Sequence, residues 1–467
     1  MTSTFFGLQT AARALSAQQQ ALDTTSHNIS NANTPGYTRQ RVELAATPPY
    51  TVVYEHQDAQ PGQFGTGVEV TDISRSRDAY LDLQFRKVRE RLGEANARSS
   101  SLSTIERTYG EPTDSGIGNA LDVFWTAWQD VSNHPEDLGV RQNLVEQGRN
   151  LTSLLNQTYN QLQDIGKSLE TDAEAKVQQI NDLTSQIATL NATIRPVVAS
   201  GKQANDLRDQ RDVLMDKLSQ LVHVTYLENG DGSVNIALGD RLVVDGDRSE
   251  QLNLVNPGPS GGIEVHWSAD DTTLSLQGGE LKGIMDSRNT VLPGKLAELD
   301  ALAAKIIQSV NDIHTTGYTL GGVVGGAFFT GTGASDIAVS EALEADPNAV
   351  AAAATAAGVP GDGSVALRIA QLQKSSPDGS PTINATYQQI ISRLGNEASQ
   401  AEATVTSQQA FLNNIDENRQ SANGVSLDEE MINLVKYQRG YQAAARLVNM
   451  VDETLDTIVN RLGLSGR

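Results

Sequence analysis

The sequence predicts a mainly helical, elongated protein of several domains, with a small β domain inserted into the helical part. Its 467 residues exceed the usual size of one domain. Only 5% of the residues are aromatic while 38% are hydrophobic, a composition that suits long helices better than a dense aromatic core. Apolar residues recur at every seventh position near both ends of the chain, which is typical of helices that pack along a seam.

The first predicted element is a helix that carries such a stripe. Small residues, among them Ala11, Ala14 and Ala21, fill the same side. The large apolar residues of the stripe are Leu8, Leu15, Leu22 and Ile29.

A sharp turn is predicted where this helix ends. Residues 28–37 read Asn-Ile-Ser-Asn-Ala-Asn-Thr-Pro-Gly-Tyr. Asparagine favours turns, the residue before a proline is biased to extended backbone, and a Pro-Gly pair suits a type II turn. The residues that define this segment are Asn28, Asn31, Asn33, Pro35, Gly36 and Tyr37.

The chain ends in a second striped helix, whose start is predicted at Ser426. Ser426 to Glu429 fits a capping box, with acidic residues in the first helical turn. The stripe consists of Leu434, Tyr441, Val448, Leu455 and Leu462. Neither terminal stripe has a second local helix as a partner, so each packs either into the protein's own core or against another copy of the chain.

Between the ends, three-and-four spacing of apolar residues predicts long helices around residues 162–194 and 292–313, which form an antiparallel bundle with helices near 78–108 and 386–420. Residues 223–280 change to an alternating period with polar turns, which predicts the small β domain. Residues 317–383 are rich in Gly, Ala and Pro and are predicted to form loops with one or two short helices.

This pattern divides the chain into three predicted domains. Residues 1–60 and 425–467 form a coiled-coil domain from both termini, 61–222 and 281–424 form the helical bundle, and 223–280 form the outer β domain. We expect the β domain to fold independently.

The charge distribution indicates which partners to exclude. The formal net charge is −22, from 35 basic and 57 acidic residues, which argues against nucleic acid or an anionic membrane surface as the main partner. Residues 1–44 and 425–467 are nearly neutral, so copies of the ends can pack together without strong repulsion. No apolar run is long enough to span a membrane, the N-terminus does not resemble a cleaved signal peptide, and cysteine is absent.

No catalytic, cofactor or metal site is predicted. The six histidines are scattered and lack a metal-ligand spacing, and the Asp-rich turns near residues 229–233 and 245–247 lack the EF-hand pattern. The glycine-rich stretches lack the Lys-Ser/Thr of a phosphate loop, and no GxSxG motif occurs. Trp125 and Trp128 have the spacing of helix core residues.

Two terminal segments carry a family resemblance. Residues 28–40 closely resemble the N-terminal signature shared by flagellar rod, hook and hook-associated proteins, and residues 424–446 resemble the C-terminal half of the same pair. Within this family, residues 124–141 and 279–313 are similar to the hook-associated proteins of the junction between hook and filament.

The resemblance implies a structural subunit of the bacterial flagellum that forms the hook–filament junction and is required for filament assembly. It implies a ring of identical copies between hook subunits and the next junction protein, with the axial domain innermost. It also implies export unfolded through the flagellar type III apparatus to the cell exterior, and a chaperone that holds the C-terminal helix beforehand. We expect residues 1 to about 40 and about 426 to 467 to be largely disordered in the free subunit and to become a coaxial helical pair only in the ring.

Two other readings compete with this one. The first is a different flagellar axial protein, such as the second junction protein, the hook subunit or flagellin, and the segment 279–313 argues against it. The second is an enzyme or adhesin built on the β domain, which the absence of a catalytic constellation disfavours.

Overall fold

The computed structural model of the chain describes residues 4–49, 64–110, 116–256, 262–375 and 379–457. In these ranges the fold is mainly helical, as predicted. The helices are α1 (Thr4–Asn31), α2 (Ala79–Tyr109), α3 (Ile117–Asn133), α4 (Leu138–Ala199), α5 (Asn205–Leu221), α6 (Glu280–Asp286), α7 (Leu292–His314), α8 (Glu341–Ala345), α9 (Ser364–Ala370), α10 (Ile383–Asn423) and α11 (Leu427–Asp456).

The strands form small antiparallel sheets. They are β1 (Gln40–Ala46), β2 (Val68–Arg75), β3 (Thr225–Glu228), β4 (Val234–Leu238), β5 (Arg241–Asp245), β6 (Arg248–Ser249), β7 (Leu252–Val255), β8 (Glu264–Trp267), β9 (Phe329–Thr330) and β10 (Ala338–Val339). β1 pairs with β2, β3 to β6 form one meander, β7 pairs with β8, and β9 pairs with β10.

The terminal helices α1 and α11 pack against each other in antiparallel orientation. A Cβ atom on Gly7 would lie 3.8 Å from Val451 Cγ2, and one on Gly440 would lie 2.8 Å from the amide of Gln18. At the other end of the pair, Asn28 contacts Glu430. Within one chain, therefore, the described parts of the two stripes pair with each other, and the expectation that this helical pair forms only in the ring is not met.

One long helix runs through the bundle. α4 has 62 residues, about 90 Å at the α-helical rise, so it extends well beyond the predicted range 162–194. Asp137 caps its N-terminus by accepting hydrogen bonds from the Gly139 and Val140 amides. This helix gives the bundle its elongated form and links two hydrophobic cores.

The first core surrounds the N-terminal half of α4. It joins α3, α7, α9 and the N-terminal half of α10, and it contains Trp125 and Trp128, both almost completely buried. Their prediction as core residues is confirmed. The Gly-rich segment covers this core with α8, α9 and the β9–β10 pair, close to the expected loops with short helices.

The second core surrounds the C-terminal half of α4 and includes the β insert. Val234, Ile236 and Leu238 of β4 point their side chains into the same cluster as Met215 and Leu218 of α5. The strands therefore share a core with the helices and have no separate one, so the expectation of an independently folding β domain is not met. The alternating pattern indicated an apolar face but could not identify the helices that cover it.

None of the helices in the described ranges combines the length and the hydropathy needed to cross a lipid bilayer.

Candidate assembly interface

The turn after α1 has the geometry that its sequence predicts. The Tyr37 amide donates a hydrogen bond to the Thr34 carbonyl at 3.1 Å, and Gly36 has a φ of +80°, as the third position of a type II turn requires. A Cβ atom on Gly36 would lie only 2.1 Å from Val213 Cγ2 of α5. Glycine is therefore required both by the backbone conformation and by the contact with the bundle.

Asn28 is the centre of the hydrogen-bond network that follows this turn. Its Nδ2 donates to the Gln40 carbonyl and to Glu430 Oε2, both at 2.9 Å, and its Oδ1 accepts from the Gln40 amide at 3.0 Å. The Tyr37 hydroxyl donates to the same Oδ1 at 2.8 Å. One buried amide side chain thus joins the end of α1, the start of β1 and the start of α11.

The other residues of the turn segment have smaller roles. Asn31 donates to the His27 carbonyl and accepts from the Thr34 hydroxyl, so it closes the last turn of α1. Asn33 and Pro35 are exposed. Burial, reinforced by the negative charge of Asp206, raises the pKa of Tyr37, so its hydroxyl remains a donor at physiological pH.

Arg39 ties β1 to the first turn of α11. Its Nε donates to Glu430 Oε1 at 2.8 Å, and its Nη1 lies 2.7 Å from Glu429 Oε2. The predicted N-cap of α11 is present, since the Ser426 side chain accepts from the Glu429 amide. The Glu429 carboxylate pairs with Arg39, and Glu430 is almost completely buried beside it.

A larger ionic cluster anchors this assembly to the bundle. It contains four arginines from β2, the following loop, α2 and α10, and four aspartates from α2 and α5, so it is formally neutral. Its members are Arg75, Arg77, Arg86, Arg419, Asp82, Asp209, Asp212 and Asp216.

Asp212 lies at the middle of the ionic cluster. It contacts Arg75 at 2.8 Å, Arg77 at 2.7 Å and Arg86 at 3.1 Å. Burial alone would raise its pKa, but the positive charges of Arg77, Arg86 and Arg75 outweigh burial and hold the pKa at about 2. Asp212 therefore remains charged at physiological pH, and its loss would leave three buried guanidinium groups without their shared partner.

Asp209 connects the turn segment to the ionic cluster. Its Oδ2 accepts a hydrogen bond from the Thr38 amide at 2.8 Å, and its Oδ1 accepts one from Arg75. Burial raises the pKa of Asp209 despite these bonds. The position of the terminal helices relative to the bundle is thus fixed by polar contacts at this point.

Sequence reasoning missed the ionic cluster. Asp209, Asp212 and Asp216 follow the three-and-four spacing of one helix face, which could have indicated a shared partner. Their arginines come from segments more than a hundred residues away in either direction, and spacing along one helix does not identify such partners.

The predicted packing residues lie along the α1–α11 seam at differing depths. Tyr441 is 37% exposed, and Leu462 lies outside the described residues. The half-buried residues are Leu8, Leu15, Leu22, Ile29, Leu434, Val448 and Leu455. The fully buried positions are smaller residues, Ala11, Ala17, Ala21 and Ala444, as expected where two helices approach closely.

The opposite face of α11 exposes large apolar side chains. Ile432 is 69% exposed and Met450 is 62% exposed. Val435 is exposed on the same face, whereas Leu427, Met431 and Leu447 are exposed at other positions around the helix. The seven-residue stripe did not predict them, because they occupy the positions between those of the seam.

No group of three or more His, Asp or Glu side chains in the described ranges has an arrangement suited to a metal ion.

Three protein-family models match the chain. The model for the flagellar hook-associated protein FlgK helical domain matches residues 102–329. The model for the flagella basal body rod protein matches residues 8–38, and that for the C-terminal part of the flagellar basal body rod FlgEFG proteins matches residues 417–462. The last two cover the terminal helices.

Several known proteins are similar over most of their length. The flagellar hook-associated protein 1 of Bacillus subtilis is 35% identical over 512 aligned positions that span all of both chains. That of Escherichia coli is 25% identical, with 97% of this chain and 99% of the relative covered. The structure of the flagellar hook junction protein FlgK from Burkholderia pseudomallei superposes with a TM-score of 0.64 at 19% identity, over 73% of this chain and all of that one, and has the same fold.

Proposed function

The chain belongs to the flagellar hook-associated protein 1 family and is a structural component of the bacterial flagellum at the hook–filament junction, and we propose that its copies assemble there into a ring through their terminal helices. In this proposal the subunit binds its neighbours and catalyses no reaction.

The exposed apolar face of α11 carries the proposal. α11 buries one side against α1 and leaves Ile432, Val435 and Met450 exposed to water. Exposed apolar side chains of this kind indicate a surface that a partner covers. Burying one large aliphatic side chain contributes about 1.5 to 3 kcal/mol, so contacts with further helices would stabilise the assembled state considerably. The nearly neutral charge of both ends supports close packing of copies.

A ring between hook and filament has neighbours on both of its sides. We propose hook subunits on one side of the ring and the next junction protein on the filament side. We further propose that the chain is exported through the flagellar type III apparatus and acts outside the cell. An export chaperone at α11 would cover the apolar face until assembly.

The proposed domain arrangement agrees with this function. We propose residues 1–60 and 425–467 as the inner, axial part, with the bundle of 61–222 and 281–424 outside it. The predicted outermost place of residues 223–280 does not fit the structure, because Tyr226 of β3 stacks on Arg86 of the ionic cluster, beside the terminal segments. The proposed axial packing residues are Leu8, Leu15, Leu22, Ile29, Leu434, Tyr441, Val448, Leu455 and Leu462.

Substitutions on the apolar face test the proposal. Ile432→Asp and Met450→Asp should abolish incorporation into isolated hook–filament structures and stop motility, because a carboxylate would be buried between subunits. Leu227→Asp is the matched control, since Leu227 is also 69% exposed but lies on β3, away from α11. Immunoblotting of purified hook-basal bodies measures incorporation. Normal incorporation of both α11 variants would refute the proposal.

A further inference from the structure

A groove between α2 and α10 carries basic side chains in a strongly acidic protein. The groove has a volume of about 870 Å³, and its lining includes Arg91 and Arg98 of α2 and Arg393 of α10. Glu94 and Glu397 line it as well, and Glu397 is paired with Lys295 at 3.0 Å. Arg393 pairs with Glu298 at 3.3 Å. In the described part of the chain Arg91 has no hydrogen-bond or ion-pair partner, and Arg98 has only the longer-range attraction of Glu94.

The outer surface of α4 carries the opposite charge. Asp172 and Asp182 are exposed there. Asp182 accepts a hydrogen bond from Gln178, whereas Asp172 has no partner among the described residues. Between residues 160 and 190 the helix has five acidic and two basic residues, so this surface is negative overall.

The two surfaces lie at the same level along the bundle. α2 and α4 are antiparallel, since Ala97 joins the second core and Tyr109 the first, while α4 runs from the first core to the second. Asp172 lines the cleft on the other side of α2 together with Asn96 and Ser100, next to the level of Arg98. By helical rise, the two arginines are about 10 Å apart and the two aspartates about 15 Å apart.

We propose that this groove binds the acidic α4 surface of a second copy of the chain, so that Arg91 and Arg98 of one subunit face Asp172 and Asp182 of the next. A contact between different faces of neighbouring copies is a head-to-tail contact. Such contacts close into a ring when the rotation from one copy to the next divides a full turn evenly. The inference rests on the proposed ring and adds a lateral contact between bundles, outside the axial helices.

Chemical cross-linking tests the contact directly. The chain has no cysteine, so Arg98→Cys and Asp172→Cys introduce the only thiols. In isolated hook–filament structures, a bifunctional maleimide should convert the double variant into species larger than dimers, because each copy has two neighbours. Either single variant should remain monomeric. The control is Arg98→Cys with Glu174→Cys, since Glu174 projects from the opposite flank of α4, about 200° around the helix from Asp172.

Charge reversal tests the energetics. Arg91→Glu with Arg98→Glu, and Asp172→Arg with Asp182→Arg, should each reduce incorporation about tenfold, because attraction becomes repulsion at two sites. Combining all four changes should restore it, whereas Asp240→Arg, at an exposed turn of the β insert, should have no effect. Thermal unfolding of each purified variant checks that it is folded.

Two outcomes would overturn the inference. The first is equal cross-linking of the Glu174→Cys control or none in the test pair. The second is incorporation of the reversed variants at the wild-type level, or a fourfold variant no better than its parents. Neither outcome would refute the ring proposal, provided that the wild-type chain is found at the junction and the α11 variants fail to assemble. Absence of the wild-type chain from the junction would refute the ring itself.

Discussion

Several asparagine side chains on helices hold a neighbouring segment by forming hydrogen bonds with both the backbone N–H and the backbone C=O of one of its residues. A primary amide offers one acceptor and two donors, so it can replace a peptide group in a ladder. The pairs are Asn28 with Gln40, Asn181 with Leu252, Asn191 with Val234, Asn289 with Ile263, and Asn311 with Phe329. Such contacts dock short strands and loops onto helices that have no free backbone groups.

Asn28→Asp should separate assembly from folding. The substitution keeps the size of the side chain but removes the donor to the Gln40 carbonyl and puts a second carboxylate beside Glu430. We expect roughly 2 to 4 kcal/mol of destabilisation at the α1–β1–α11 contact, with loss of incorporation, while the bundle remains folded. Incorporation and circular dichroism measure the two effects. Asn33→Asp, in the same segment but exposed, is the control and should assemble normally.

His314 should make the first core sensitive to acid. The buried imidazole is neutral: Nδ1 donates to the Gly326 carbonyl at 2.7 Å, and Nε2 accepts from the Ala351 amide at 2.9 Å. Burial lowers its pKa from 6.5 to about 4. The unfolded chain therefore binds the proton more readily, so stability is complete above pH 6.5 and falls as the pH drops toward 4, by on the order of 3 kcal/mol.

Thermal unfolding between pH 7.5 and 4.5 measures this loss. His314→Gln, which can still donate and accept but does not titrate, should lose less stability than the wild type over the same range. Parallel curves for the two proteins would show that another group accounts for the acid sensitivity.

The periodicity of apolar residues predicts individual helices and strands, but it does not predict which distant segments they pack against. The stripes of α1 and α11 and the turn at Pro35 follow from sequence spacing, because each depends on residues within a few turns. The alternation in the β insert predicts its strands, but the docking of these strands on α4 depends on Asn181 and Asn191, whose partners lie 71 and 43 residues away. The apolar pattern predicts α4 only from Leu162 onward, whereas the helix begins at Leu138.

Asp212→Asn should weaken the ionic cluster where the β1–β2 hairpin and the loop after it meet α2 and α5. The asparagine cannot balance Arg75, Arg77 and Arg86, and a buried charge that loses its partner costs roughly 3 to 5 kcal/mol. We expect a lower midpoint in urea and faster proteolysis near residues 64–82. Asp240→Asn, which makes the same change at an exposed turn, should leave both unchanged. An unaltered urea midpoint in Asp212→Asn would mean that the arginines find other partners.

Across the whole molecule, the terminal helix α11 buries far fewer of its residues than the bundle helices do, as expected if neighbouring subunits cover it after assembly. Among the described residues, α11 fully buries only Glu430 and Ala444 over its 30 residues, whereas α7 buries nine of its 23. Charge is unequal as well, since the nearly neutral ends carry the exposed apolar face and the acidic excess lies in the middle of the chain. The family resemblance predicts that the terminal helices pack between subunits. The sequence pattern alone does not distinguish packing within a chain from packing between chains.

The terminal helices should therefore open more readily than the bundle in the free subunit. The α1–α11 pair buries small residues along its seam, and ordering costs about 1 to 2 kcal/mol per residue, so the hydrophobic gain that opposes fraying is limited. Hydrogen exchange of the purified subunit should show α11 amides exchanging at least about a hundredfold faster than those of α7, and the assembled structure should remove the difference. Leu455→Asp should increase exchange in both terminal helices and leave α7 unchanged, because Leu455 belongs to the seam and has no part in either bundle core. Equal protection of α11 and α7 in the free subunit would mean that the pair is complete before assembly, and the exposed face of α11 alone would then have to account for ring formation.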